Sequence, residues 1–330
     1  MRAYRRNVLK TVAGGAALAL PFVRTARAAE KITFLTSWFA QAEHGGFYQA
    51  KATGLYDKAG LDVTIKMGGP QVNGMQLLAG GEADLIMGYD IQVLKAVENN
   101  LPVVTVASSF QFDLQGIMTH ADVTGLADLK GRKILIASSS HSTFWPWLKQ
   151  RFGFTDEQAG VYTFNLQPFL VDKTLSVQAY PSSEPFEARA MGADVKFFLF
   201  ANDGYPPYGS AMVTTRALLQ KNPDAVQRFI RASLEGWRDY VRNPAPANAL
   251  IKADNPKMTD ERIAFAISEL LRLKALDSGD AATQGIGVMT EARWNRTYDF
   301  MVAGNLLKPT TDWKRGFTTE YVRDLHIMMA

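Results

Sequence analysis

Between Lys31 and Leu199 the chain alternates strand-like and helical runs twice over, and from Asn222 onward it reads as helix alone. Few folds accommodate that order. Lys31 to Thr36, Leu61 to Lys66, Ala83 to Met87 and Val103 to Ser108 read as strands. Helical runs at His44 to Thr53, up to Ala79 and at Tyr89 to Glu98 separate them, with Gly54 and Gly80-Gly81 as stops. Strands that alternate with short helices predict a mostly parallel sheet. A second round begins near Gly116, with strands at Lys133 to Ala137, Gly160 to Asn165, Leu175 to Gln178 and Val195 to Leu199, and a helix at Ser142 to Phe152.

The helical tail then has to be placed. Asn222 reads as a cap and Pro223 as the first helical residue, and Val226, Phe229, Ile230, Leu234, Trp237 and Val241 recur at three- and four-residue spacing. Arg262 to Leu273 and Glu291 to Val302 repeat the pattern. Helices with one apolar face must cover something, and the economical choice is the first sheet. The expected organisation is therefore a discontinuous first lobe, residues 29–113 and 209–330, with residues 114–208 inserted as a second lobe. A cleft separates the two.

The N-terminus reads as an export signal. Arg2, Arg5, Arg6 and Lys10 precede the apolar run Val12 to Val23, and Ala26-Arg27-Ala28 follows it. That run is about half to two-thirds of the ~20 residues a spanning helix needs. YRRNVLK resembles a twin-arginine signal, departing from it in the residue before the arginine pair and at Val8, so the export route stays open. Cleavage after Ala28 removes six basic residues and no acid, which takes the formal net charge from +4 to −2. The pI near 9.1 belongs mostly to that segment. The remainder has no positive excess to attract phosphate backbones, so nucleic acid is not an expected partner. Cys is absent, which removes disulfides, thiolate metal sites and lipid attachment at an N-terminal Cys. The four His fall at no metal-ligand spacing, so no metal is expected. A soluble, unanchored protein of the periplasm is the expectation.

KITFLTSWFAQAEHGGFYQAKATGLYDKAGLDVTI resembles the start of the thiamine pyrimidine synthase family and its periplasmic relatives that bind pyrimidine precursors. The likeness continues through LLAGGEADLIMG, LADLKGRKI, QAYPSSEPF and LLQKNPDAVQRFIRA, most of the chain after residue 28. Importers of sulfonates, nitrate and riboflavin share much of it. The resemblance implies an α/β fold of the type II periplasmic binding protein class: two lobes with mostly parallel sheets, joined by two hinge crossovers. It also implies a monomer without cofactor or catalytic residues, which closes on a small molecule and delivers it to an ABC permease and its ATPase. Eukaryotic synthases of the family carry a CCCFC motif just before the equivalent of LLQKNPDAV; here NDGYPPYGSAMVTT stands there, so the enzymatic chemistry is missing.

Candidate ligand contacts follow from these segments. Trp38 and Phe39 end the first strand, and ligands of open α/β sheets lie off the carboxyl ends of strands; the alternative for either ring is the core. His44 opens the next helix as a hydrogen-bonding group or as a cap, and Gly45-Gly46 allow close backbone approach. Tyr89 and Asp90 follow the strand ending at Met87, where Asp90 could equally cap a helix. In the second lobe Ser138 and Ser140 open a helix and either receive an anion or a polar ring edge or only cap it. Tyr180 offers a second ring face. Glu184 sits where relatives place a cleft carboxylate, the alternative being helix N-terminal charge. A nitrogen heterocycle akin to a pyrimidine precursor is the expected ligand. The alternatives are a sulfonate, nitrate or aromatic carboxylate, which needs Arg132 or Lys149 in the cleft, and a synthase-like enzyme that uses His44 and Lys51 with pyridoxal phosphate.

Overall fold

The computed structural model describes residues 28–329. The export signal expected over residues 1–28 thus lies, but for Ala28, outside the described residues. Ten strands form two five-stranded sheets. In the first, β1 (Glu30–Leu35), β2 (Leu61–Lys66) and β3 (Leu85–Gly88) run parallel, with β1 in the middle. β4 (Val103–Phe110) then leaves for the second lobe, where β5 (Gly116–His120), β6 (Ile134–Ile136), β7 (Ala159–Val161), β8 (Ser176–Ala179) and β9 (Val195–Leu199) are ordered β7-β6-β8-β5-β9. The chain returns as β10 (Gly209–Thr215), which inserts between β3 and β4 and runs antiparallel to both. β5 likewise runs antiparallel to its neighbours β8 and β9. Each sheet is therefore mostly parallel with one reversed strand, the strand that enters directly from a crossover, β5 in the second lobe and β10 in the first.

The crossovers are residues 111–115 and 200–208. They lie side by side, and the Asp113 N–H donates to Pro207 O at 3.0 Å. Local differences from the sequence reading have local causes. β7 is three residues long, and Phe164 beyond it has φ of 59°. The helix expected from Ser142 starts at Trp145, with Pro146 in its first turn and the 3₁₀ turn Ser138–Ser142 before it.

The helical tail covers the first sheet. Asn222 caps the helix Pro223–Arg242, its side chain accepting from the Ala225 N–H at 3.2 Å. Phe229, Ile230, Trp237 and Tyr240 of that helix join Phe34, Phe47 and Val63 in one buried cluster. Here the Gly-Gly pair finds its use. A Cβ on Gly45 would lie 2.0 Å from the Tyr240 ring and one on Gly46 2.2 Å from the Trp237 ring. Both glycines let the helix Gly45–Ala52 seat against Pro223–Arg242, so the close approach they permit is helix to helix and not backbone to ligand.

Candidate functional site

The ends of β1 and β3 face the ends of β6 and β8 across a cleft of about 860 Å³, counting the part open to solvent. The first wall is set by the turn after β1. Thr36 Oγ1 donates to Trp38 O at 2.6 Å and accepts from the Gly68 N–H at 3.3 Å. Gly68 is required there, since a Cβ would sit 2.3 Å from Thr36 O. This turn aims Trp38 at the second lobe, where its ring stacks on Tyr162 at 6.2 Å between centroids and 21° between planes. Phe164 meets it edge-on at 5.8 Å. Tyr162 in turn donates to Glu184 Oε1 at 3.0 Å.

Polar groups complete the lining. Tyr89 from the first lobe and Tyr180 from the second share a hydrogen bond of 2.9 Å between hydroxyls. Glu184 opens the helix Glu184–Ala190 and accepts from the Tyr180 N–H at 2.9 Å through Oε2. Burial pushes its carboxyl up to about 7, against the opposing effect of these hydrogen bonds. Ser140 donates to Gln178 Oε1 at 2.6 Å, and Ala137 N–H reaches the same oxygen at 2.5 Å. His44 ends the 3₁₀ turn Ala42–His44 and is 2% exposed, and burial lowers its pKa to about 3, so the imidazole is neutral. Glu43 beside it accepts from Ser182 Oγ across the cleft, and burial raises its pKa. Behind the cleft, Asp113 at the crossover accepts from the Gln115 N–H and Nε2 at 3.0 and 2.9 Å, and burial pushes it up to about 7.

Of the residues singled out in the sequence, Trp38, His44, Tyr89, Ser140, Tyr180 and Glu184 line this cleft. Three do not. Phe39 packs on Phe164 at 5.6 Å, beside the lining. Asp90 occupies the first turn of the helix Asp90–Glu98 and is fully buried toward the crossover, where Oδ2 accepts from the Tyr208 N–H at 3.1 Å and from Thr297 at 3.3 Å. Ser138 is exposed, and only its N–H takes part, donating to Pro70 O of the first lobe at 2.9 Å. The lining also includes Ser37, Gln41, Glu43, Gln92, Gln115 and Ser183, which the sequence reading passed over. No Lys or Arg stands among the lining residues. Arg132 instead pairs with Asp122 at 2.7 Å and Lys149 with Asp156 at 2.8 Å, both on the surface.

The lobes are in direct contact along one side of the cleft. Ser183 Oγ donates to Gln41 Oε1 at 2.8 Å. Arg262, from the helix Asp260–Arg272 of the first lobe, reaches Ser183 Oγ at 3.1 Å and Glu187 at 2.8 Å. The structure is thus a closed arrangement, hinged at the paired crossovers and latched at residues 182–187.

Two α/β lobes that share two crossovers and close on one cleft form the periplasmic binding protein fold. Within it, residues 41–247 match the family described as NMT1/THI5 like, and the chain belongs to that family. Among its relatives is the riboflavin-binding protein RibY of Chloroflexus aurantiacus, 24% identical over 94% of this chain and 92% of its own length. The formylaminopyrimidine-binding protein of Halalkalibacterium halodurans is 28% identical over 67% of this chain and 69% of its own. The solved periplasmic aliphatic sulphonate binding protein of Escherichia coli shares the fold, with a TM-score of 0.63 at 16% identity over 87% of this chain and 91% of that one.

Proposed function

We propose that this chain is the exported solute-binding component of an ABC importer, and that it captures a small planar nitrogen heterocycle between its lobes. One observation carries the ligand class: the cleft combines the rings of Trp38, Tyr89 and Tyr180 with carboxyl, amide, hydroxyl and neutral imidazole groups, and its lining holds no cation. Such a lining suits a flat, uncharged or cationic molecule with polar edges. The two relatives named as binding proteins are named for heterocycles, riboflavin and formylaminopyrimidine. An anion finds no lysine or arginine in the lining, and nothing in the geometry favours a sulfonate or nitrate.

The protein binds and hands over rather than turning its ligand over. The chain holds no Cys, and Lys51, the lysine nearest in sequence to His44, turns away from the cleft to donate to Val63 O at 2.7 Å. Residues 29–113 with 209–330 act as one body and 114–208 as the other. The closed monomer, released from its export signal into the periplasm without a lipid anchor, is the form presented to a permease and its ATPase. Among the described residues no helix is long and apolar enough to cross a membrane.

A thermal-shift panel of pyrimidines, flavins, purines, sulfonates and aromatic acids tests the ligand class. Heterocycles are expected to stabilise the protein, and Trp38→Ala to weaken the best of them by about 2 kcal/mol, the size of an interface hot spot. Stabilisation by sulfonates or nitrate alone would overturn the assignment.

A further inference from the structure

We infer that Glu43 is the specificity-determining residue of the cleft, accepting a hydrogen bond from an N–H donor on the edge of the ligand. The inference rests on the reading of the cleft as a heterocycle site and adds which edge of the ligand is read, and by what. Two carboxyl groups line the cleft, one from each lobe, and they differ in what they have left to offer. Glu184 is engaged through both oxygens, with the Tyr162 hydroxyl on Oε1 and the Tyr180 N–H on Oε2. Glu43 is engaged through one. Its Oε1 takes the Ser182 hydroxyl, while Oε2 is buried and accepts nothing from the described residues.

A buried acceptor left unsatisfied costs free energy that a bound donor recovers. The adjoining His44 is in the same position, with Nδ1 buried and without a partner among the described residues. Because that imidazole is neutral, it carries one N–H and one lone pair. An acidic acceptor and an imidazole on neighbouring residues match a molecule that places an amino or ring N–H next to a ring nitrogen. Arg262 also acts electrostatically on Glu43, but its two terminal nitrogens go to Ser183 and Glu187, and its Nε, buried without a partner among the described residues, makes no hydrogen bond to Oε2. Glu184, in contrast, holds Tyr162 and the turn at Tyr180 in place and is a positioning residue.

The test uses an isosteric pair, 4-amino-2-methylpyrimidine and 2,4-dimethylpyrimidine, with benzamidine as a donor-bearing ring that is not a heterocycle. Affinities are read by ligand-observed NMR titration of the protein, Glu43→Gln and Ser182→Ala. Gln keeps an oxygen for Ser182 and places an NH₂ where Oε2 was. We expect wild type to prefer the amino compound, Glu43→Gln to weaken it at least tenfold while changing the dimethyl compound less than threefold, and Ser182→Ala to weaken both alike. Equal losses for the two pyrimidines in Glu43→Gln, no loss in either, or wild-type indifference to the amino group would each overturn the inference. If benzamidine binds in a Glu43-dependent way and neither pyrimidine does, Glu43 keeps its role and the heterocycle reading falls. Binding by none of the three overturns both.

Discussion

Arg262 is the place to test whether the closed arrangement is held by protein contacts as well as by ligand. Its side chain is 7% exposed and leaves the first lobe to meet two groups of the second, Glu187 at 2.8 Å and Ser183 Oγ at 3.1 Å. Its guanidinium also lies over the Phe164 ring, 5.4 Å from the centroid. All of these contacts cross the cleft, so opening the lobes breaks them together. A hydrogen bond to a charged group contributes ~1.5–3 kcal/mol. Glu187 keeps 28% of its side chain exposed and regains water on opening, and in the closed variant Ser183 still bonds Gln41, so the lower half of that range applies. We expect Arg262→Met, which retains the apolar stem over Phe164, to shift the closed-to-open balance by about 2 kcal/mol, roughly 30-fold.

Apparent affinity scales with the fraction of protein in the binding-competent form. The variant should therefore weaken every ligand by one common factor, up to about 30-fold. Calorimetry with two chemically unrelated ligands measures that factor, and small-angle scattering of the ligand-free variant should show a larger radius of gyration. Circular dichroism checks that the fold is intact. A loss confined to one ligand would mean that Arg262 touches the ligand itself. Unchanged affinity together with an unchanged radius would remove the latch from the account.

Two further outcomes follow from other parts of the chain. Gly46→Ala brings a Cβ to 2.2 Å from the buried Trp237 ring, where overpacking costs ~1–3 kcal/mol; at this contact we expect the upper end, a fall in Tm of roughly 6 °C, and an unchanged Tm by calorimetry would refute the close-packed helix pair. Glu184 has a folded-state pKa raised from 4.5 to about 7 by burial, so the stability tied to its protonated form is full below 4.5 and is lost as pH rises through 7. Glu184→Gln should flatten the decline of Tm across that window relative to wild type, with Asp113 and Asp90 still titrating in both proteins; identical slopes would count against a buried, protonatable Glu184.

How far the sequence could be read tracks how local each signal is. β1, β2 and the Asn222-Pro223 helix start were legible because alternation, caps and turn residues act within a few positions. The reversed strand in each sheet was not, since the direction of β10 depends on where a strand returning from the second lobe finds room between β3 and β4. Glu43 was invisible for another reason. Every residue from Ala40 to Ala50 is buried, so the segment shows no polar face whose period would mark an inward-facing charge. Asp90 and Tyr89, adjacent in sequence, point to different places because the helix begins between them: Tyr89 ends the turn at the cleft, and Asp90 turns under it toward Tyr208.

One short segment joins the cleft lining to the contact between the lobes. Tyr180 lines the cleft and bonds Tyr89 of the opposite lobe. Two residues on, Ser182 holds Glu43, Ser183 holds Gln41 and receives Arg262, and Glu184 lines the cleft again. Glu187, one helical turn later, completes the ion pair with Arg262. Residues that line the cleft and residues that meet the other lobe therefore share a single turn and the helix it starts. A ligand that fixes the position of Tyr180 or Glu184 also fixes Ser182, Ser183 and Glu187, which is where the lobes meet. Binding and closure then share one structural element, and a ligand favours closure only to the extent that its contacts differ between the open and closed forms. A molecule that fills the first-lobe wall at Trp38 without reaching residues 180–184 has no such difference to offer, and it should bind weakly and leave the lobes free to part.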